Sequence, residues 1–148
     1  MTQPWATATL TDVRSGQAFR IADLVAEGRV VFVETMAIWC SNCHAEQKEA
    51  KAALERLDPA KVAWVAIDVE SSESADTLAR YADQNEFPFA YAIADSDLAR
   101  ALAAEFGDQV LNPPSVNVVV IATDGRVTPS QGHLTADELV TLATEHGA

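Results

Sequence analysis

Apolar and polar positions fall into blocks along the chain that predict a mixed α/β protein. Residues 30–37 and 62–69 are apolar on both faces, as expected of central strands covered by helices on each side. Residues 6–19 surround a turn-like Arg-Ser-Gly-Gln segment and predict an N-terminal β-hairpin within about 6–20. The other predicted elements are a helical turn at 21–27, helices at 43–57 and 75–85, a helix capped at 95–97 and ending at 106, strands at 88–94 and 116–122, a hairpin turn at 123–125 and a last helix opened by a capping box at 135–138. This order predicts a mixed central sheet flanked by helices.

Composition limits the classes of partner and of location. A length of 148 residues and an apolar fraction of 49% fit a single domain spanning residues 1–148. The net charge of −12 and the pI of about 4.4 exclude nucleic acid and anionic membranes as expected partners. No stretch is long and apolar enough to span a bilayer. The expected location is cytoplasmic if the chain is complete, and periplasmic or otherwise extracytoplasmic if a signal or anchor has been removed.

The candidate chemistry lies in residues 39–44, Trp-Cys-Ser-Asn-Cys-His, which follow the first central strand. Cys40 and Cys43 are the only two cysteines of the chain. If the next helix begins at Cys40, both sulfurs lie in its first turn, close enough to form a disulfide. The free backbone N–H groups and the helix dipole favour a thiolate there. A disulfide that encloses two residues gains little as a structural staple, so the pair indicates redox chemistry.

Residues 40–44 also match Cys-x-x-Cys-His, the motif of a c-type haem attachment site. In that interpretation Cys40 and Cys43 carry the thioethers and His44 is the proximal ligand. Small c-type cytochromes are mostly helical and need a distal ligand, whereas this motif lies in an α/β pattern with Met36 poorly placed to reach across a haem. The structural context therefore favours a redox dithiol.

The sequence resembles the thioredoxin superfamily, and within it the TlpA/ResA-like thiol–disulfide oxidoreductases. The resemblance rests on the pattern of residues 10–24, the strand at 30–37, the Trp-Cys-x-x-Cys motif at 39–43, the inserted helix and strand at 71–94 and the Asp-Gly turn at 124–125. It implies a thioredoxin-like fold with an N-terminal hairpin and a βα insertion. It also implies a monomer that needs no cofactor beyond its redox disulfide, exchanges disulfides with client proteins and is served by an upstream redox partner. Members of this group are typically exported and often tethered to membranes.

The resemblance also assigns roles to individual residues. Cys40, expected at the exposed helix N-terminus, is the attacking thiolate, and Cys43, one turn deeper, is the resolving thiol. Trp39 is expected to shield one side of the site and to contact the client, or simply to pack the strand end. Glu34, a carboxylate within an apolar strand, is expected to have a raised pKa and to act as a base toward Cys43. The alternative is that Glu34 points to solvent or pairs with a core cation.

The loop expected opposite the cysteines, residues 113–117, fits the family pattern less well than the rest of the chain. Proteins of this fold present a cis-proline there, and Pro114 is the preferred candidate for that position and for client binding. Counting back from the Asp-Gly turn instead places the position near Asn117, in which case Pro113 and Pro114 form an ordinary turn. The pair Ser41-Asn42 between the cysteines is consistent with an intermediate redox potential.

Two further functions stay as alternatives. A copper or other metal site could use Cys40, Cys43 and a histidine such as His133, although a structural zinc site needs a fourth ligand, and no metal is predicted. A non-catalytic interaction module would require that both cysteines be unreactive. The Pro-x-x-x-Thr-x-x-Cys signature of peroxiredoxin-like peroxidases is absent from the sequence.

Overall fold

A computed structural model describes residues 1–148 and places a five-stranded mixed sheet at the centre of the molecule. In chain order the elements are α1 (Pro4–Thr7), β1 (Leu10–Thr11), β2 (Ala18–Phe19), α2 (Ile21–Ala26), β3 (Val30–Met36), α3 (Ser41–Leu54), β4 (Val62–Asp68), α4 (Ala75–Gln84), β5 (Ala90–Ile93), α5 (Ser96–Phe106), 3₁₀ turns at Asp108–Leu111 and Pro113–Ser115, β6 (Asn117–Ile121), β7 (Val127–Gln131) and α6 (Ala136–Glu145). The predicted α/β architecture is confirmed.

The central sheet has the strand order β5-β4-β3-β6-β7. β3 pairs in parallel with β4, from Val30 opposite Val62 to Met36 opposite Asp68, and antiparallel with β6. β3 is therefore a doubly paired inner strand, which explains its continuous apolar sequence. The segment that follows the carboxyl end of β3 carries the two cysteines and leads into α3.

Two apolar layers cover the sheet, one on each face. Because side chains alternate along a strand, Phe32 and Met36 of β3 face the layer that contains α3, α4 and α6, whereas Val31 and Val33 face the layer of α1, α2 and α5. Phe32 stacks on Trp64 with ring centroids 5.4 Å apart. Every residue of β3 is buried, its single glutamate included. The functional region thus begins on a rigid strand in the middle of the protein.

The N-terminal hairpin is shorter than predicted. Its strands β1 and β2 pair only from Leu10 opposite Phe19 to Thr11 opposite Ala18 and form a separate two-stranded sheet. Residues 4–7, which the pattern placed at the edge of the hairpin or before it, form the helical turn α1. Proline at its first position favours this turn, and Trp5 packs against Phe106 with ring centroids 5.1 Å apart.

The expectation of a cis-proline at Pro114 is wrong, because the chain contains no cis peptide bond. Pro113–Ser115 forms a 3₁₀ turn, and the chain then passes through Val116 with φ of 51° before β6 begins at Asn117. A left-handed conformation is unusual for a β-branched residue. It is held here by a hydrogen bond of 2.8 Å from the Gly132 N–H to the Val116 carbonyl oxygen. The alternative has Asn117 in place of the cis-proline and Pro113 and Pro114 in an ordinary turn; the 3₁₀ turn agrees with its second part, and the peptide bond before Asn117 is trans.

No helix of the structure has both the length and the apolar character that a membrane crossing requires.

Candidate active site

Cys40 and Cys43 are joined by a disulfide at the N-terminus of α3, with Cα atoms 5.3 Å apart. Cys40 is the N-cap residue, and its Sγ accepts a hydrogen bond from the Cys43 backbone N–H at 3.1 Å. No acidic side chain lies in the first turn of α3. The sulfur of Cys40 therefore lies where backbone donors and the helix dipole stabilise a thiolate when the disulfide is reduced.

The structure corrects the expected exposure of Cys40, which is only 2% accessible in this disulfide form. The Pro113–Ser115 turn lies against the start of α3. The Asn42 side chain donates to the Pro114 carbonyl at 3.0 Å, and Cys43 Sγ lies 3.3 Å from the Pro113 carbonyl oxygen. Pro114 thus contacts the segment between the cysteines through Asn42, and its peptide bond is trans.

Trp39 forms the exposed side of the site, with 56% of its surface accessible. Its indole Nε1 donates to Glu70 Oε2 at 3.1 Å, and the preceding Ile38 N–H donates to Glu73 Oε1 at 2.8 Å. The loop after β4 therefore fixes the segment that leads into the disulfide. Asp68, at the end of β4, anchors that loop by accepting the Glu70 N–H at 2.9 Å. Burial and the neighbouring Glu73 carboxyl raise the pKa of Asp68 to about 8.

Glu34 is fully buried, as the sequence predicts, and the alternative of a solvent-facing side chain is excluded. Its Oε1 accepts a hydrogen bond from Gln47 Nε2 at 2.9 Å, whereas its Oε2 has no partner. The Gln47 Oε1 atom accepts from the hydroxyls of Tyr81 at 3.1 Å and Tyr91 at 2.7 Å. Burial, together with the nearby charge of Glu46, raises the pKa of Glu34 well above its ordinary range.

Glu46 is a second buried acid, and sequence reasoning missed it. It lies three residues after Cys43 on α3, and residues at this spacing are neighbours on a helix surface. Its Oε1 accepts the Leu134 N–H at 2.6 Å, and its Oε2 is buried without a partner. Burial raises the pKa of Glu46 to about 7, with smaller contributions from the charges of Glu49 and Glu138. The available signal was its helical spacing from Cys43, which places the two on one face.

The histidines that the haem and metal alternatives would use are engaged elsewhere. His44 lies between two aromatic rings, with Nδ1 3.3 Å from the Tyr81 hydroxyl and its ring centroid 5.5 Å from that of Phe87. Burial and the charge of Lys48 lower its pKa. His133 contacts Glu46 rather than the sulfurs. No group of three or more His, Cys, Asp or Glu side chains is arranged to hold a metal ion.

A cavity of about 800 Å³ lies at the opposite end of the sheet, where the N-terminal hairpin passes the starts of β4 and β5. Neither cysteine lines it. The disulfide instead lies buried just beneath the surface, beside the exposed Trp39 and the Pro113–Ser115 turn. This arrangement suits contact with a macromolecule better than enclosure of a small molecule.

Comparison with known proteins agrees with this geometry. The chain belongs to the AhpC/TSA family, which residues 2–129 match. No protein with a curated function is a significant match to the sequence. The family, the fold and the paired cysteines together confirm the predicted class, a thioredoxin-like thiol–disulfide oxidoreductase.

Solved structures share the fold over nearly the whole chain. A secreted Mycobacterium tuberculosis disulfide oxidoreductase homologous to E. coli DsbE is 21% identical, with a TM-score of 0.73 over 95% of this chain and 97% of that one. StoA from Bacillus subtilis is 17% identical, with a TM-score of 0.67 over 94% and 98%. The exposed lipoprotein thioredoxin Etrx1 from Streptococcus pneumoniae is 20% identical, with a TM-score of 0.68 over 95% and 99%. The predicted thioredoxin-like fold is confirmed.

Proposed function

We propose that this protein exchanges disulfides with client proteins, with Cys40 as the attacking thiolate and Cys43 as the resolving thiol. The observation that carries this assignment is the different placement of the two sulfurs. Cys40 caps α3 and accepts the Cys43 N–H, which favours its ionised form. Cys43 is fully buried and faces the Pro113 carbonyl oxygen, which disfavours ionisation of its thiol.

In the reducing direction, the Cys40 thiolate attacks one sulfur of a client disulfide. The client S–S bond breaks, a Cys40–client disulfide forms and the first client thiolate leaves. Cys43 then loses its proton, and its thiolate attacks Cys40 Sγ, so that the Cys40–Cys43 disulfide forms and the second client thiolate leaves. Two electrons pass from the dithiol to the client, and both client thiolates take protons from water. An upstream redox partner returns the two electrons.

The proton of Cys43 needs an acceptor, and we assign it to the buried carboxyls of Glu34 and Glu46 acting as a coupled pair. The charge of Glu46 raises the pKa of Glu34, so the two do not readily ionise together. Glu46, with a pKa of about 7, is ionised in a substantial fraction of molecules at neutral pH and is suited to accept a proton there. Because the charge of one carboxyl disfavours ionisation of the other, Glu34 and Glu46 are seldom both ionised at the same time.

The client is expected to bind between Trp39 and Pro114. Trp39 offers an exposed aromatic surface whose orientation is fixed by Glu70. The Pro114 carbonyl, which accepts the Asn42 amide in the disulfide form, is a backbone acceptor that a client N–H can use instead. The protein is proposed to work as a monomer without a cofactor. Two of its structural neighbours, a secreted oxidoreductase and an exposed lipoprotein, support an extracytoplasmic location.

The experiment that tests this function traps the mixed disulfide. Reduced Cys43→Ser protein is mixed with a disulfide-bonded peptide and analysed by mass spectrometry under non-reducing conditions. The Cys43→Ser variant is expected to accumulate a covalent peptide adduct on Cys40, whereas Cys40→Ser forms much less. Adducts on Cys43 in preference to Cys40 would reverse the assigned roles, and no adduct on either would refute the function.

The part of the carboxyl pair is tested separately. The pH dependence of disulfide exchange is measured for Glu34→Gln, Glu46→Gln and the unaltered protein. Each substitution is expected to shift the pH at which the resolving step becomes fast. An unchanged profile in Glu34→Gln would remove Glu34 from the proposal, and an unchanged profile in Glu46→Gln would remove Glu46.

A further inference from the structure

The buried carboxyl of Glu46 has one neighbour that connects it with water. His133, in the loop between β7 and α6, lies with Nδ1 3.4 Å from Glu46 Oε1, and 48% of its side chain is exposed. Its other ring nitrogen, Nε2, lies 3.8 Å from Glu49 Oε1 on the outer side of α3. One ring nitrogen thus faces the buried acid, and the other lies toward a partly exposed acid.

The other polar route from the carboxyl pair does not carry protons. Glu34 accepts a hydrogen bond from the side-chain amide of Gln47, and the oxygen of that amide accepts the hydroxyls of Tyr81 and Tyr91. A side-chain amide neither gains nor loses a proton near neutral pH. The Gln47 network therefore positions Glu34 but does not lead its proton to the surface.

A proton that leaves Cys43 must nevertheless reach water once in each catalytic cycle. The Glu46 side chain is fully buried, and its Oε2 atom has no partner. Imidazole is the side chain that takes up and releases protons between pH 5 and 8, and it does so through two separate nitrogens. A histidine with one nitrogen on the acid and an exposed ring is suited to this transfer.

We propose that His133 passes protons between buried Glu46 and water and so completes the proton path of the resolving cysteine. This inference rests on the proposed disulfide exchange. Cys43 gives its proton to the Glu46 carboxylate, Glu46 gives it to His133 Nδ1, and the imidazolium releases the Nε2 proton to water. No electrons move in these steps. Glu46 is again a carboxylate, and the imidazole, left with its proton on Nδ1, returns to the starting tautomer by proton exchange with water through its exposed ring. His133 acts through Glu46 and does not touch the sulfurs.

Several other groups act on Glu46 from the elements packed around it. Glu34 faces it from β3, Glu49 from α3 itself and Glu138 from α6. All three are acids, and Glu138 is also bound in the capping box of α6. His133 is the group of opposite charge type in this set, and its contribution to Glu46 is to favour the carboxylate. A protonated His133 thus stabilises the Glu46 carboxylate, the form that accepts the proton of Cys43.

The test measures the resolving step with His133→Gln and His133→Ala. Reduced protein is mixed with excess disulfide-bonded peptide in weak buffer, and formation of the Cys40–Cys43 disulfide is followed by rapid quenching and mass spectrometry. Both variants are expected to slow this step by about tenfold or more near neutral pH, because general acid–base assistance is lost. Free imidazole in the solution is expected to restore the rate in the variants and to leave the unaltered protein unchanged.

Separate measurements of attack and of resolution distinguish this inference from the proposed function. Attack by Cys40, measured as adduct formation in a Cys43→Ser background, is expected to be equally fast with His133 in place and with the His133→Ala substitution. If attack and resolution both proceed normally in His133→Gln, the proton path is wrong and the proposed function stands. A slow step that imidazole does not restore would show a structural role and would also overturn the inference. Absence of adduct formation in every variant would refute the proposed function itself.

Discussion

Replacing Glu46 with glutamine is expected to change how the stability of the folded protein depends on pH. Burial raises the pKa of Glu46 from its ordinary value of 4.5 to about 7. Each pH unit corresponds to about 1.4 kcal/mol, so ionising Glu46 in the folded protein costs about 3 kcal/mol. Its side chain is fully buried, so solvent screening does not reduce this figure substantially.

The sign follows from the direction of the pKa change. The folded protein binds the Glu46 proton more tightly than the unfolded chain does, so stability falls as pH rises from about 4.5 toward 7 and levels off above. Between pH 5 and pH 8 the contribution of Glu46 amounts to a loss of roughly 2–3 kcal/mol. The Glu46→Gln variant keeps an acceptor for the Leu134 N–H and lacks this ionisation. It should therefore gain stability relative to the unaltered protein as pH rises.

The assay is urea unfolding of the disulfide form at several pH values, so that no thiol titrates. Glu105→Gln is the matched control, because Glu105 is an exposed glutamate on α5. The control should follow the unaltered protein at every pH. If the free energy of unfolding of Glu46→Gln, relative to the unaltered protein, changes by less than about 1 kcal/mol between pH 5 and pH 8, the buried charge of Glu46 is not as costly as argued.

Two further substitutions have expected outcomes. Gln47→Met should lower the free energy of unfolding by about 2–4 kcal/mol, because Glu34 and two tyrosine hydroxyls lose their buried partner; a urea-measured loss below about 1 kcal/mol would argue against this network. Trp39→Phe should remove most of the fluorescence change that accompanies reduction, since Trp39 adjoins the disulfide while Trp5 and Trp64 are buried in the two cores. A full fluorescence change in Trp39→Phe would show that the signal arises elsewhere.

Much of the fold could be predicted because its pattern is local. The apolar run of β3 is doubly paired and covered on both faces, so its burial is visible in the sequence. That same run predicts the burial of Glu34, since a residue inside it has no route to solvent. The Cys40–Cys43 spacing likewise predicts a disulfide, because a helix N-terminus brings the two residues within one turn.

The remaining features depend on contacts between distant segments. The burial of Glu46 follows from the approach of the 132–134 loop, whose Leu134 N–H binds its carboxylate. The Pro113–Ser115 turn contacts Asn42 and Cys43, and the sequence shows it only as a stiff segment. The left-handed backbone of Val116 is held by a glycine at the far end of β7, and no local preference of valine predicts it.

The central claim is that Cys40 and Cys43 form a reversible two-electron redox couple. The most direct measurement is a titration of the protein against glutathione or dithiothreitol buffers, with the fraction of disulfide determined by thiol alkylation and mass spectrometry. The expected result is one reversible transition. Within it, a tenfold change in the ratio of disulfide to dithiol protein corresponds to a change of about 30 mV in potential, as a two-electron couple requires. Cysteines that stay reduced or stay oxidised across the whole range, or that interconvert without forming the Cys40–Cys43 disulfide, would contradict the claim.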